Sequence, residues 1–372
     1  MEKKILTAWT VILLSGLLFP VPVARAESPN DSPSESVREK SGYIDVHNHL
    51  FGMTGRGGMF GRSMDYPGAV SAALSLMDSL DVGTAIVMPP PFTEGQRDIF
   101  EADEFLSAIR YYPRRFAFMG GGGSLNVMIQ KAVKSGETDP DLKKRFAQQA
   151  EKIVALGAVG FGEMTAEHFS LHSRHPYETA PPDHPLFLIL ADIAARHDVP
   201  IDLHMEAIPH DMPLPDIDRV KSGNNPSSLK ANIPALERLL SYNPKVRIIW
   251  AHAGWDNTGH RTLRLMDELL SRYPNLYMTI KFGGDSVEEN RPFAPGRRLK
   301  QGWLEAMKKR PDRFMMGTDQ FFTPPLSDIR RKAGRGDPVK AFFSQLPPDL
   351  AYKIGFVNPI RVFGLKDVLK NR

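Results

Sequence analysis

The chain contains no cysteine, so it has no disulfides and no lipid anchor attached through a cysteine. Its stability must come from apolar burial, and the roughly 340 residues beyond the leader are enough to bury a large core. Its first 26 residues carry no twin-arginine pair, and no glycine fingerprint opens a helix as a dinucleotide fold would require. Gly120-Gly121-Gly122-Gly123 lacks the Lys-Ser/Thr ending of a phosphate loop, which leaves a mobile loop as its reading. A basic excess is missing too. The formal charge of +4 includes Lys3, Lys4 and Arg25 against Glu2, all in a segment expected to be removed, so the mature chain is nearly balanced. That excludes a nucleic-acid partner.

The first 26 residues have the layout of a secretory signal peptide. Lys3 and Lys4 precede an apolar stretch from Ile5 to Phe19, and Ala24-Arg25-Ala26 offers a small-x-small cleavage site. The apolar core is short for a membrane span, so no stable anchor is expected after cleavage, and the protein is expected to be periplasmic or secreted. Residues 27–41 (ESPNDSPSESVREKS) are polar, rich in Ser and Pro, and without apolar periodicity. They read as a disordered linker before a single domain spanning 42–372.

From Gly42 onward, short apolar runs alternate with longer amphipathic ones. The composition predicts strands at 43–49, 84–89, 115–120, 158–163, 199–205, 246–252, 276–282 and 313–318. Helical spacing is clearest over 184–197 and 259–273, the latter with Leu263, Met266 and Leu270 at i, i+3 and i+7. Eight strand–helix units imply a parallel sheet closed as a (β/α)8 TIM barrel, with elaborated loops after the strands. An open doubly wound sheet is the alternative.

His47-Asn48-His49 stands where the first strand becomes a loop, and alternation in a strand sends both imidazoles to one side. His204, His252 and Asp319 close later strand-like runs, separated by 48 and 67 residues, which fits one and two barrel units. All strand ends of such a barrel open onto one face, so these residues converge there. Imidazoles and a carboxylate suit a borderline divalent ion, zinc above all, and such an ion brings the pKa of bound water towards neutrality. Glu163, placed by this reading at the end of strand four, is either a further ligand or a carboxylate that holds a ligand histidine from behind. Lys281 ends strand seven and could pair with a substrate carboxylate, or be a surface residue. His168, His172 and His175 lie in the loop after strand four, with His168 the first candidate for contact with a substrate or leaving group. Glu206 and His210 are further candidates near His204. Capping explains His184 and the helix dipole explains His197.

Several stretches resemble the amidohydrolase superfamily, in its amidohydrolase-related branch: Ile44-Asp45-Val46-His47-Asn48-His49, Ile201-Asp202-Leu203-His204, Ile249-Trp250-Ala251-His252-Ala253-Gly254, Met316-Gly317-Thr318-Asp319, and the ending from Lys353 to Leu365. The resemblance covers roughly 43–366 and is specific at the ligand positions. It implies a metal-dependent hydrolase acting on a small-molecule ester, lactone or amide, with one or two divalent ions held by His47, His49, Glu163, His204, His252 and Asp319. It also implies that Asp319 orients the attacking water and takes its proton. The same branch includes decarboxylases of unsaturated or aromatic acids, and a binding protein on the same scaffold is a third reading.

Overall fold

The computed structural model describes residues 42–54, 63–282, 286–325 and 336–365. The expected signal peptide and linker lie outside these residues. No helix among those described is long and apolar enough to cross a membrane. Eight strands form the centre: β1 (Tyr43–Leu50), β2 (Val82–Met88), β3 (Phe116–Phe118, resuming at Gly120–Gly121), β4 (Phe161–His168), β5 (Ile201–Met205), β6 (Ile248–Ala253), β7 (Leu276–Ile280) and β8 (Phe314–Met316, resuming at Gln320–Phe322). Neighbours along the chain pair in parallel, and the two interrupted strands join the pairings into a ring. The first part of β3 pairs with β2 and its second part with β4. The first part of β8 pairs with β7 and its second part with β1. The result is a (β/α)8 barrel, as the alternation predicts.

These strands are near-continuous apolar runs because both faces of a covered parallel sheet are buried. One cluster joins Ile44, Val46, Ile86, Met119, Ile249 and Met315 to Val362 and Phe363 of the closing helix. A larger one packs the strands against the surrounding helices through Phe146, Leu190, Leu236, Leu269 and Trp303. The loops at the C-terminal ends of the strands are elaborated, with two-stranded ribbons at 53–54/63–64, 212–213/228–229 and 293–294/298–299.

Three details differ from the sequence reading. Strand β4 runs three residues later at its start and five later at its end, so Glu163 lies inside the strand and His168 is its last residue. The polar run Glu163–His168 hides the strand from an apolar criterion, yet five of its six residues are buried. The helix expected over 259–273 spans Leu263–Arg272, because the Asp256 carboxylate gathers the N–H groups of Thr258, Gly259 and Arg261 into a turn. Thr262 then caps the helix by accepting from Leu265 N at 3.1 Å. Gly120, Gly121 and Gly122 of the four-glycine run are buried rather than in a solvent loop, and Gly123 is packed closely: a Cβ there would lie 1.8 Å from the Phe100 carbonyl oxygen. Its Gly121 N–H donates to the Glu101 carboxylate, so the chain supplies the anion itself.

Candidate metal centre at the barrel mouth

β1 opens the site. A register shift between Asp45 and Asn48 breaks its ladder with β2, as bulges beside functional sites do. Asp45 ties this segment across the barrel closure, accepting from Thr318 N at 3.0 Å and from the Thr318 hydroxyl. Burial pushes the Asp45 carboxyl up to about 6, and these hydrogen bonds only partly restrain it. Asp319 N in turn donates to the His47 carbonyl at 2.9 Å. Gly317 permits this approach, because a Cβ there would lie 2.7 Å from Thr279 Cβ and 3.0 Å from His47 Cβ. His252 and Asp319 both have positive φ, 64° and 54°, where a non-glycine residue needs its surroundings to hold it.

All six expected ligands meet. Glu163 sits among the four histidines: Oε1 is 2.7 Å from His204 Nδ1 and 3.1 Å from His252 Nε2. Its Oε2 is 3.3 Å from His49 Nε2 and 3.7 Å from His47 Nε2. Asp319 Oδ1 is 3.3 Å from His49 Nε2, and its Oδ2 accepts from Lys281 Nζ at 2.5 Å. None of the six expected ligands is more than 7% exposed. One donor atom from each of His47, His49 and Asp319 lies within 4.8 Å of the others, and the same holds for His47, Glu163 and His252.

The donor set fits a divalent cation. Buried polar atoms normally find hydrogen-bond partners, yet His47 Nε2 and His252 Nδ1 have no hydrogen-bond partner. Burial disfavours charge on His47, but the Asp202 and Glu163 carboxylates outweigh it and hold its pKa well above the ordinary value. His49 is raised too, against burial, by Asp319 and Glu163. Glu163, against burial, is held well below the carboxylate range by His47, His204 and His252. The cluster thus draws positive charge, which a divalent ion would supply in place of protons.

Of the remaining expectations, Lys281 is buried just past the end of β7, with its ammonium 3.3 Å from the centre of the Trp255 ring. Burial lowers its pKa to about 8 although Asp319 opposes the shift. His168 lies edge-on to His204, ring centres 4.2 Å apart, and to His175 at 4.7 Å. Burial, then the charges of His204 and His175, keep its pKa well below the ordinary value. Both face a cavity of about 410 Å³ whose floor is Glu163, His204, His252 and Asp319. Glu206 and His210 do not: Glu206 is taken up by Asn257, and His210 packs against His260. His172 is held away by Arg174 N, which donates to its Nδ1.

Sequence reasoning missed three contributors. Asp202 places both carboxylate oxygens 3.2 Å from His47 Nδ1. It lies two residues before His204 on β5, and that alternation was its one available signal. Trp255 and Arg219 line the cavity from loops after β6 and β5, where no periodicity marks them.

The family model described as "Amidohydrolase" matches residues 136–365. No curated relative matches the sequence. Among solved structures, a probable 2-pyrone-4,6-dicarboxylic acid hydrolase from Acinetobacter baumannii is similar at 15% identity and TM-score 0.51, covering 87% of this chain and 99% of its own. A dihydroxybenzoic acid decarboxylase from Polaromonas sp. JS666, with bound manganese, shares 18% identity at TM-score 0.47, with 89% and 99% covered. A dihydroorotase from Saccharomyces cerevisiae shares 14% identity at TM-score 0.49, with 88% and 85% covered. The family match spans well over half of the chain and takes in Glu163, His204, His252 and Asp319. This chain therefore belongs to the amidohydrolase family and is a metal-dependent enzyme of that type.

Proposed function

We propose that the protein is a hydrolase that uses one or two divalent ions, zinc in this reading, to cleave an ester, lactone or amide bond in a small molecule. The observation that carries this reading is the junction of the buried histidine cluster with an ionised Asp319 at the floor of the cavity. When bound, the ion supplies a Lewis acid and acidifies water. His47, His49, Glu163, His204, His252 and Asp319 would hold it. Asp319 is the proton acceptor: burial opposes its charge, but Lys281 and His49 outweigh burial and keep the carboxylate well below its usual range, hence ionised. Lys281 holds Asp319 in place, and neutral His168 offers a ring nitrogen to a substrate or leaving group. The apolar side of the cavity, Phe51, Phe92 and Phe321, keeps bulk water from the floor.

The leader sequence supports export to the periplasm or medium, which N-terminal sequencing of the exported protein would test. The reaction is tested by a panel of lactones, esters, amides and unsaturated acids on metal-reconstituted protein, with Asp319→Asn as control. Hydrolysis of one of the first three classes, lost in the variant, is the expected result. Release of carbon dioxide from the acids without hydrolysis would replace this reading with a decarboxylase.

A further inference from the structure

The loop after β2 delivers one polar group to an otherwise apolar side of the cavity. Of its residues, Pro90, Pro91, Phe92 and Gln96 line the cavity, and Gln96 alone carries a hydrogen-bonding side chain. That loop is built rather than loose. Glu163 N donates to the Pro89 carbonyl at 3.2 Å, and Phe92 N donates to the Gly122 carbonyl at 3.0 Å. Asn126, fully buried near the start of the helix Leu125–Ser135, clamps the loop to β4. Its Nδ2 donates to the Phe92 carbonyl at 3.1 Å, and its Oδ1 accepts from Thr165 N at 2.9 Å. The loop is therefore tied to the strand that carries Glu163, and through it to the ligand cluster.

Gln96 closes a turn on Thr93. Its backbone N–H donates to the Thr93 carbonyl at 3.3 Å, while its Oε1 accepts from Thr93 N at 2.5 Å and from the Thr93 hydroxyl at 3.2 Å. An amide oxygen has two lone pairs, and Thr93 engages both. A backbone N–H can only donate, so the oxygen end of the amide is the one on Thr93, and the network settles the orientation. The Nε2 end has no hydrogen-bond partner among the described residues. A pair of neutral N–H donors thus remains for the cavity, beside Phe92 and the two prolines. None of the lining residues from this loop is charged, so an ionic partner would find no counter-charge there. Neutral donors in that setting suit a neutral acceptor.

We propose that Gln96 is a specificity-determining residue whose Nε2 donates to an uncharged oxygen of the substrate, a carbonyl or ether oxygen borne on an apolar body and separate from the bond that is cleaved. The proposal deepens the reading of the cavity as a hydrolase site and rests on it. A substrate of the same shape with carbon in place of that oxygen would leave the amide donors unpaired and bind less well.

The test uses benzohydroxamates, whose hydroxamate group chelates a divalent ion and so anchors the ring in the cavity. Meta-acetylbenzohydroxamic acid is compared with its meta-isopropenyl isostere, which has a methylene carbon for the ketone oxygen. The para-substituted pair is run beside them, all by calorimetric titration into the metal-loaded protein. In one ring position or both, the ketone is expected to bind about 10-fold more tightly than the alkene. Gln96→Glu should bring that ratio close to one at neutral pH with metal content unchanged, because a carboxylate still accepts from Thr93 but has no N–H to offer. Gln96→Leu should do the same, and serves if the glutamate variant does not fold. The ratio cancels any general effect of a variant on the ion. A parent ratio near one in both positions, or a ratio that survives in Gln96→Glu, would overturn the proposal. Failure of every probe to bind would overturn the reading of the cavity along with it, whereas binding without discrimination would remove the role of Gln96 alone. Because binding needs no turnover, failure of the hydrolysis panel alongside discrimination between the probes would remove the reaction and leave the subsite.

Discussion

At the N-terminal end of the barrel, a groove of about 710 Å³ is lined by Asp78, Asp81, Tyr111, Tyr112, Arg114 and Arg115. At the C-terminal end the cavity is smaller, about 410 Å³, and holds the histidine cluster. Charge is handled differently at the two ends. In the groove, Arg115 meets Asp78 at 2.6 Å with the Asp78 side chain 67% exposed, so water does most of the solvation. In the cavity Glu163, Lys281 and Asp319 are buried, and each is held by others brought from distant strands. Size therefore does not mark the site. Convergent buried polar groups with displaced pKa values do, and they occur at the end where barrel strands deliver catalytic residues.

The largest effect should come from the cluster itself. A His47→Ala, His49→Ala double variant is expected to lose its bound metal, measured as equivalents per chain, and with it all activity. Full metal content in that variant would erase the contrast between the two ends. Asp319→Asn comes next: metal is retained, while kcat falls about 10²–10⁴-fold with a smaller change in KM. A near-normal kcat would transfer the proton to another group, with His168 the first to examine. Glu163→Gln separates two roles. If Glu163 bridges two ions, titration should show one site where the parent has two; if it only supports a ligand, stoichiometry should hold and affinity alone should drop, about 10–100-fold.

Behind the cavity, Glu178 is buried and accepts from Asn126 Nδ2 at 3.3 Å. Burial pushes its carboxyl up to about 8 despite that hydrogen bond. A carboxyl that binds its proton more tightly when folded contributes stability below its unfolded pKa, and that stability is lost as pH rises through the folded value. Melting temperature should therefore fall as pH rises from about 4.5 to about 8, and Glu178→Gln should flatten the fall. An identical slope in the variant would remove Glu178 as its source. The smallest effect belongs to the groove: Arg115→Ala should cost no more than about 1 kcal/mol and leave turnover unaltered. A large loss of activity there would show that the two ends are coupled.

Much of the site was legible because the signals are local. His47 and His49 are two residues apart in a strand, and His204, His252 and Asp319 stand at or just past the ends of apolar runs, so period-two alternation and strand counting placed five ligands on one face. Glu163 was found but put at the strand end, since Met164-Thr165-Ala166-Glu167-His168 is too polar to read as strand. It pairs as one because its carboxylates are hydrogen-bonded inside: Glu167 accepts from the Tyr177 and Thr179 hydroxyls at 2.5 and 2.8 Å. Arg219 and Trp255 gave no signal, since loop side chains obey no period.

The sequence by itself determined the barrel and the face on which the expected ligands lie, because alternation is a property of neighbouring residues. The tertiary structure decided which atoms meet. Asp202 reaches His47 across 155 residues of chain, Lys281 reaches Asp319 across 38, and Glu163 stands among four histidines from three other strands. These meetings depend on ring closure, on the register of β1 against β8 and on the close approach that Gly317 allows. No local pattern encodes a distance between residues that only the closed barrel brings together.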